Sequence, residues 1–185
     1  MDTEYSGPVE VEAEAEFPAA GLWDVHGPFR AFARYANGVV MEVSSHFPNG
    51  VRFEGDDGWI FVTRGDYSVT ASDPVSKAKA SEALMASDPG IFGWKPGPDD
   101  VRLPVSEEQH ADWIEAIRNR RPPIAGAEPG HRSCTACLLI HIAMKVKRKL
   151  VWDPLNERFK EDDAANERLT RPQRSPYGTS FTGRV

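Results

Sequence analysis

The stretch Glu128-Pro129-Gly130-His131-Arg132-Ser133-Cys134-Thr135-Ala136-Cys137-Leu138-Leu139-Ile140-His141-Ile142-Ala143-Met144-Lys145, continued by Val146-Lys147-Arg148-Lys149-Leu150-Val151-Trp152-Asp153-Pro154, is the longest apolar segment of the chain. From Ser133 to Val146 nearly every position is apolar or small, and a run of cations follows. The pattern predicts one helix buried on most sides. Pro129 falls in its first turn, and the positive charge sits where the C-terminal end of the helix dipole favours it. An apolar run of this length is too short to span a bilayer, so it reads as a core helix around which the fold must wrap.

At 185 residues the chain can bury a sizeable core. Its 22 basic and 28 acidic residues leave a net charge of −6, which gives no electrostatic support to a nucleic-acid or membrane partner. Met1 leads directly into Asp2-Thr3-Glu4 with neither a basic nor an apolar leader, so a cytoplasmic location is expected. No Gly-rich phosphate loop of either common type occurs in the sequence.

Residues 8–17 alternate strictly. Val9, Val11, Ala13, Ala15 and Phe17 point one way and Glu10, Glu12, Glu14 and Glu16 the other, which predicts a half-buried strand with a solvated acidic face. Carboxylates about 7 Å apart on such a face suggest a cation site, but one strand alone cannot surround an ion. Around Asn37-Gly38 the pattern predicts a hairpin with a two-residue type I′ turn, Phe32 opposite Val43 and Arg34 opposite Met41. A second hairpin is expected around Gly55–Gly58, then a strand over 66–71, giving an antiparallel meander.

Ser72-Asp73-Pro74 is read as capping a short helix over 75–86, and the prolines and glycines of 89–98 as a loop pinned by Phe92 and Trp94. Ser106 and Gln109 form a capping box for a helix bearing Trp113, Ile114 and Ile117 as an apolar stripe. That helix ends at Arg118-Asn119-Arg120-Arg121 before Pro122-Pro123, a basic cluster explained by the helix dipole. The domain reading is a single α+β sheet domain over 1–160, with a loop-rich insertion at 73–99 and an extended tail over 161–185.

Cys134 and Cys137, flanked by His131 and His141, have the spacing of a zinc or redox motif. Without a second cysteine pair, and in so apolar a segment, they read instead as small buried hydrophobes, and no metal is expected. Gly130-His131-Arg132-Ser133 places donors in a helix first turn, where free N–H groups favour anions or hydroxylated ligands. His131 and Arg132 are therefore the candidate substrate-binding residues, against the plainer reading that they bond to neighbouring loops. Ser133 has no Gly-x-Ser-x-Gly context, and His26 and His46 have no partner legible in the sequence.

Six segments, taken in order, carry a resemblance. They are Gly7-Pro8-Val9-Glu10-Val11-Glu12, Tyr35-Ala36-Asn37-Gly38-Val39, Val51-Arg52-Phe53-Glu54-Gly55 with Gly58-Trp59-Ile60-Phe61-Val62, Glu128-Pro129-Gly130-His131-Arg132-Ser133, Lys149-Leu150-Val151-Trp152-Asp153-Pro154 and Leu169-Thr170-Arg171-Pro172. Over roughly residues 7–177 the chain resembles the C-terminal part of bacterial oxidoreductases of the glucose–fructose oxidoreductase/inositol dehydrogenase/MocA (Gfo/Idh/MocA) family. The resemblance implies an open, mainly antiparallel sheet with helices on one face, no Rossmann domain in this chain, and sugar or polyol substrates.

It also implies homo-oligomerisation through the open sheet face, or a Rossmann-bearing partner chain that supplies NAD or NADP. The family's cofactor loop and catalytic segments have no counterpart here, so no catalytic and no cofactor-binding residue is carried over. The expectation is a substrate-side and oligomerisation domain, truncated, split from its partner or degenerate, and inactive alone. A stand-alone carbohydrate-binding or assembly subunit is the alternative. A cofactor-free lyase or hydrolase is disfavoured because no acid–base pair can be identified.

Overall fold

The computed structural model describes residues 6–63, 84–93, 95, 97–100, 104–106 and 108–171. In chain order the strands and helices are β1 (Glu10–Ala15), β2 (Phe29–Arg34), β3 (Val40–Ser44), β4 (Val51–Gly55), β5 (Gly58–Val62), β6 (Leu84–Ala86), α1 (Gln109–Asn119), α2 (Ala127–Val146), β7 (Leu150–Asp153), β8 (Arg158–Phe159) and α3 (Asp163–Asn166). The chain divides into two compact units, 1–46 with 109–185, and 47–108. The strand pairings among the described residues are all antiparallel, and no parallel Rossmann-like sheet is found there.

The first unit is built on a five-stranded sheet of order β3-β2-β1-β7-β8. The alternation in β1 does what it predicts, sending Val11 and Ala13 inward beside Ala31 and Ala33 of β2. Onto this face packs α2, through Leu139, Ile140, Ile142, Ala143 and Met144. The alanines at 31, 33 and 143 are fully buried, and their small size lets helix and sheet approach closely. Leu150, Trp152, Phe159 and Ala165 extend the core, with the Trp152 and Phe159 rings edge-to-face at 4.9 Å. Pro129 falls in the first turn of α2 as expected. The helix ends where Lys147 turns left-handed (φ 54°) and its N–H donates to the Ala143 carbonyl at 2.8 Å, turning the chain into β7.

Burial of α2 is one-sided, contrary to the sequence expectation. Leu138 is 58% exposed, and Cys134 and Cys137 are exposed, so the cysteines do not fill the core. An all-round apolar sequence cannot report which side meets the sheet. Likewise α1 buries Ala116, while Trp113, Ile114 and Ile117 of the expected stripe stand 59%, 45% and 57% exposed. It begins at Gln109, so Ser106 is no N-cap; its hydroxyl donates to the Glu108 carbonyl at 3.2 Å.

The first hairpin forms, but its register differs by one. Phe32 lies opposite Glu42, Ala33 opposite Met41 and Arg34 opposite Val40. The reason is the turn. Gly38 N–H donates to Tyr35 O at 3.0 Å, Tyr35 N–H donates to Val39 O at 2.9 Å, and Gly38 has a positive φ while Asn37 does not. This is a three-residue connection needing one left-handed residue, not the two-residue type I′ turn.

The strands do not run on as one meander. In the second unit β4, β5 and β6 form a separate three-stranded sheet, and the β4–β5 hairpin turns at Asp56-Asp57 as expected. Residues 84–86 of the predicted 75–86 helix are strand β6; the rest of it, and the predicted strand at 66–71, lie outside the described residues. In the first unit, residues 163–169 are helical where the sequence suggests an extended tail. The Asp162 carboxylate accepts from Ala165 N–H at the start of α3, and Arg148 holds that carboxylate from the side at 2.7 Å.

Candidate functional site

The first two turns of α2 and the turn between β7 and β8 face each other across a hydrogen-bonded clamp. Gly126 precedes the helix with extended backbone and no side-chain cap, so the first turn depends on partners from elsewhere. The helix begins earlier than the sequence suggests, so His131 and Arg132 lie in its second turn and not its first, and Gly130 N–H is already bonded to the Gly126 carbonyl. The Arg132 side chain is 19% exposed. It donates to Glu128 Oε1 at 2.8 Å, to the Pro154 carbonyl at 2.9 Å and to Glu157 Oε1 at 3.0 Å. His131 Nε2 lies 2.6 Å from the same Glu157 oxygen and is half exposed.

The opposing turn is itself rigid. Asp153 accepts from Leu155 N–H, Asn156 N–H and Asn156 Nδ2, bonds that hold its carboxyl below the usual range, those from Asn156 foremost. Glu157 is in the left-handed region, φ 51°, where its side chain turns back toward α2. The structure thus brings both sequence-predicted residues together on one acceptor, and adds Glu157. Nothing local flags that residue, since its contact spans 25 and 26 positions. Among the described residues, the clamp bonds do not use the other His131 nitrogen or the second oxygens of Glu128 and Glu157.

These residues do not fit a nicotinamide dinucleotide. Its pyrophosphate needs a helix N-terminus free of anions, whereas the N-terminus of α2 carries the Glu128 and Glu157 carboxylates. Both sheets are antiparallel among the described residues, so the crevice of a parallel βαβ unit is absent there. No group of three or more metal-ligating side chains occurs among the described residues, and no described helix is long and apolar enough to cross a membrane.

A second polar cluster lies farther along α2. His141 and His26 face each other with ring centroids 5.9 Å apart, and Phe17 and Phe29 pack edge-on around them. Lys145 Nζ sits 4.0 Å from the Phe17 ring centre and donates to the Asp24 carbonyl at 3.2 Å, tying the 17–28 loop to the helix. Burial holds the His141 pKa below its ordinary value, and the charges of Lys145, His26 and Arg171 add to that, while Asp24 opposes them. The folded chain therefore binds fewer protons here than the unfolded one. Stability is intact above the ordinary histidine range and is lost as pH falls through that range toward the depressed folded value. Thermal midpoints measured between about pH 7.5 and 5 should decline more steeply for the parent chain than for His141→Gln. Parallel slopes would show that the cluster does not titrate in this way.

On the far face of the five-stranded sheet, Glu10 and Glu12, two of the four glutamates expected to form a solvated acidic surface, are paired with cations. Arg34 contacts Glu10 at 3.2 Å and Glu12 at 3.8 Å, Lys149 contacts Glu10 at 2.8 Å, and Arg30 contacts Glu42 at 2.6 Å and lies over the Phe32 ring. Such exposed pairs add little stability, but they relieve the repulsion at the Glu10–Glu12 end of the comb. Where β7 diverges from β1, a cleft of about 330 Å³ is lined by Glu12, Glu14, Arg30, Phe32 and Lys147–Lys149.

An antiparallel sheet backed by a long helix, with a polar clamp near the start of that helix, defines an α+β domain. Residues 99–179 match the family described as oxidoreductase family, C-terminal alpha/beta domain, of the Gfo/Idh/MocA type. Over that stretch, which is under half of the chain, it is similar to the Gfo/Idh/MocA C-terminal domain.

Among solved structures, an aldose–aldose oxidoreductase from Caulobacter crescentus, complexed with glycerol, is 20% identical with a TM-score of 0.52, and the match covers 79% of this chain and 42% of that one. A UDP-N-acetylglucosamine 3-dehydrogenase from Acidithiobacillus ferrooxidans is 18% identical (TM-score 0.45, 77% of this chain and 44% of that one). An NAD-binding protein from Listeria innocua is 15% identical (TM-score 0.42, 79% and 46%). The first likeness shows a shared fold and the other two carry no argument. The chain spans less than half the length of each. No curated protein matches it.

Proposed function

We propose that this chain is the substrate-side and oligomerisation domain of an NAD(P)-dependent oxidoreductase acting on sugars or polyols, and that cofactor and hydride chemistry come from a Rossmann domain outside these residues. The observation that carries the reading is the match of residues 99–179 to the oxidoreductase C-terminal domain, on a fold shared with an aldose–aldose oxidoreductase. In this reading His131 is offered to a substrate hydroxyl, and Arg132 positions it by anchoring the Glu157 carboxylate that His131 also engages. The paired far face of the sheet is the surface for a second copy. The assembly works in the cytoplasm.

The direct test is binding of NAD and NADH to the 185-residue chain, followed by calorimetry, and then the same chain supplied with a Rossmann-bearing partner from its genomic neighbourhood. No binding by the chain alone, with sugar-dependent NAD(P) reduction in the mixture, is the expected result. Stoichiometric nicotinamide binding by the chain alone would overturn the proposal.

A further inference from the structure

The function proposed above makes no use of Cys134 and Cys137, which the structure places on the outward side of α2. Both are free thiols and both are exposed, and their neighbour Leu138 is 58% exposed. Residues three apart on a helix stand side by side, with Cβ atoms about 5–6 Å apart. Between them, Ala136 is buried, and Leu139 just beyond is 1% exposed; both anchor this turn to the core. Because this turn is anchored, bringing the two sulfurs together has to distort the helix locally, which strains the closed form. Tyr35, half-buried, stands close enough to Cys137 for the thiol's charge to add to burial in pushing the phenol's ionisation upward. His131 is engaged by Glu157 and His141 by His26 and Phe17, and no described cluster of three or more ligating groups occurs.

We infer that Cys134 and Cys137 form a redox-modifiable dithiol on the open face of α2, closing reversibly to an intrahelical disulfide under a peroxide. The reaction balances with hydrogen peroxide as two-electron oxidant. One thiolate sulfur attacks a peroxide oxygen, the O–O bond breaks, and a sulfenic acid forms with release of water. The second thiol then attacks that sulfur, the S–O bond breaks, and a second water leaves as the S–S bond forms. Disulfides want Cβ atoms about 3.5–4.5 Å apart, closer than a helix offers at this spacing, so the bond is strained. Strained, exposed disulfides have the more oxidising potentials and are easily reduced, which is the behaviour of a reversible modification and not of a structural staple.

The test treats the full chain with limiting hydrogen peroxide, blocks remaining thiols with an alkylating reagent and measures intact and peptide masses. The expected product is a monomer lighter by two hydrogens, with both thiols protected together, an internal bond within the peptide spanning 134–137, and full recovery on addition of a dithiol reductant. Cys134→Ser and Cys137→Ser should each lose this product. Each would instead leave one thiol that accumulates as sulfenic acid or is alkylated. Independent oxidation of the two thiols, chain-to-chain cross-links as the main product, or unchanged alkylation after peroxide would overturn the inference. None of these readouts depends on oxidoreductase activity, so the dithiol and the proposed function stand or fall separately.

Discussion

Leu139→Ala is expected to lower the unfolding free energy by about 3 kcal/mol, and Leu138→Ala, one position away, by no more than about 0.5 kcal/mol. The two residues are chemically identical and adjacent in the longest apolar run of the chain. One is 1% exposed and packs toward the sheet, and the other is 58% exposed. Truncating Leu139 removes its transfer free energy and leaves a cavity among Val11, Ala31, Met144 and their neighbours, which are themselves too constrained to collapse into it. Urea denaturation followed by circular dichroism, with both variants measured beside the parent, decides the matter. Equal losses would mean that α2 is enclosed on both sides in solution, as its sequence alone suggests.

Arg132→Ala should cost about 2 kcal/mol, more than the loss of an ordinary surface ion pair, because the guanidinium is largely covered and makes three charge-assisted bonds at once. Removing it strands the Pro154 carbonyl and leaves Glu157 to His131 alone. Arg132→Lys should recover only part of the loss, since a point charge cannot serve Glu128, Pro154 and Glu157 in one plane. Denaturant midpoints of the three chains provide the comparison. If Arg132→Ala matches the parent within about 0.5 kcal/mol, the clamp is ornamental, and the positioning role given to Arg132 falls with it.

The strand and helix types were legible where the signal is local. Strict alternation over 8–17 yields β1, the apolar run yields α2, and Asn37-Gly38 marks a hairpin tip. What depends on a single dihedral was not legible. Whether Asn37 joins Gly38 in the left-handed region changes the connection by one residue, and with it the partner of every residue in β3. What depends on distant chain was not legible either. The pairing of β1 with β7, the exposure of the cysteines and the role of Glu157 are set by contacts that no window of sequence contains. Of the candidate site, the helix end and its two donors could be read from composition. Their acceptor could not.

The central position of β1 also shapes the order in which the chain can become structured. One edge of β1 is satisfied almost at once by β2, but the other waits for Leu150 and Val151. The core face stays open until α2 has been made. The unit from Phe47 to Glu108 is contiguous in sequence and precedes α2 and β7. On a ribosome it emerges while the five-stranded sheet is still half-built, with Val11 and Ala13 not yet covered by α2. The alternating glutamates of β1 then serve a purpose that the finished fold hides. They keep the waiting strand charged, soluble and unattractive to other strands until its partner emerges.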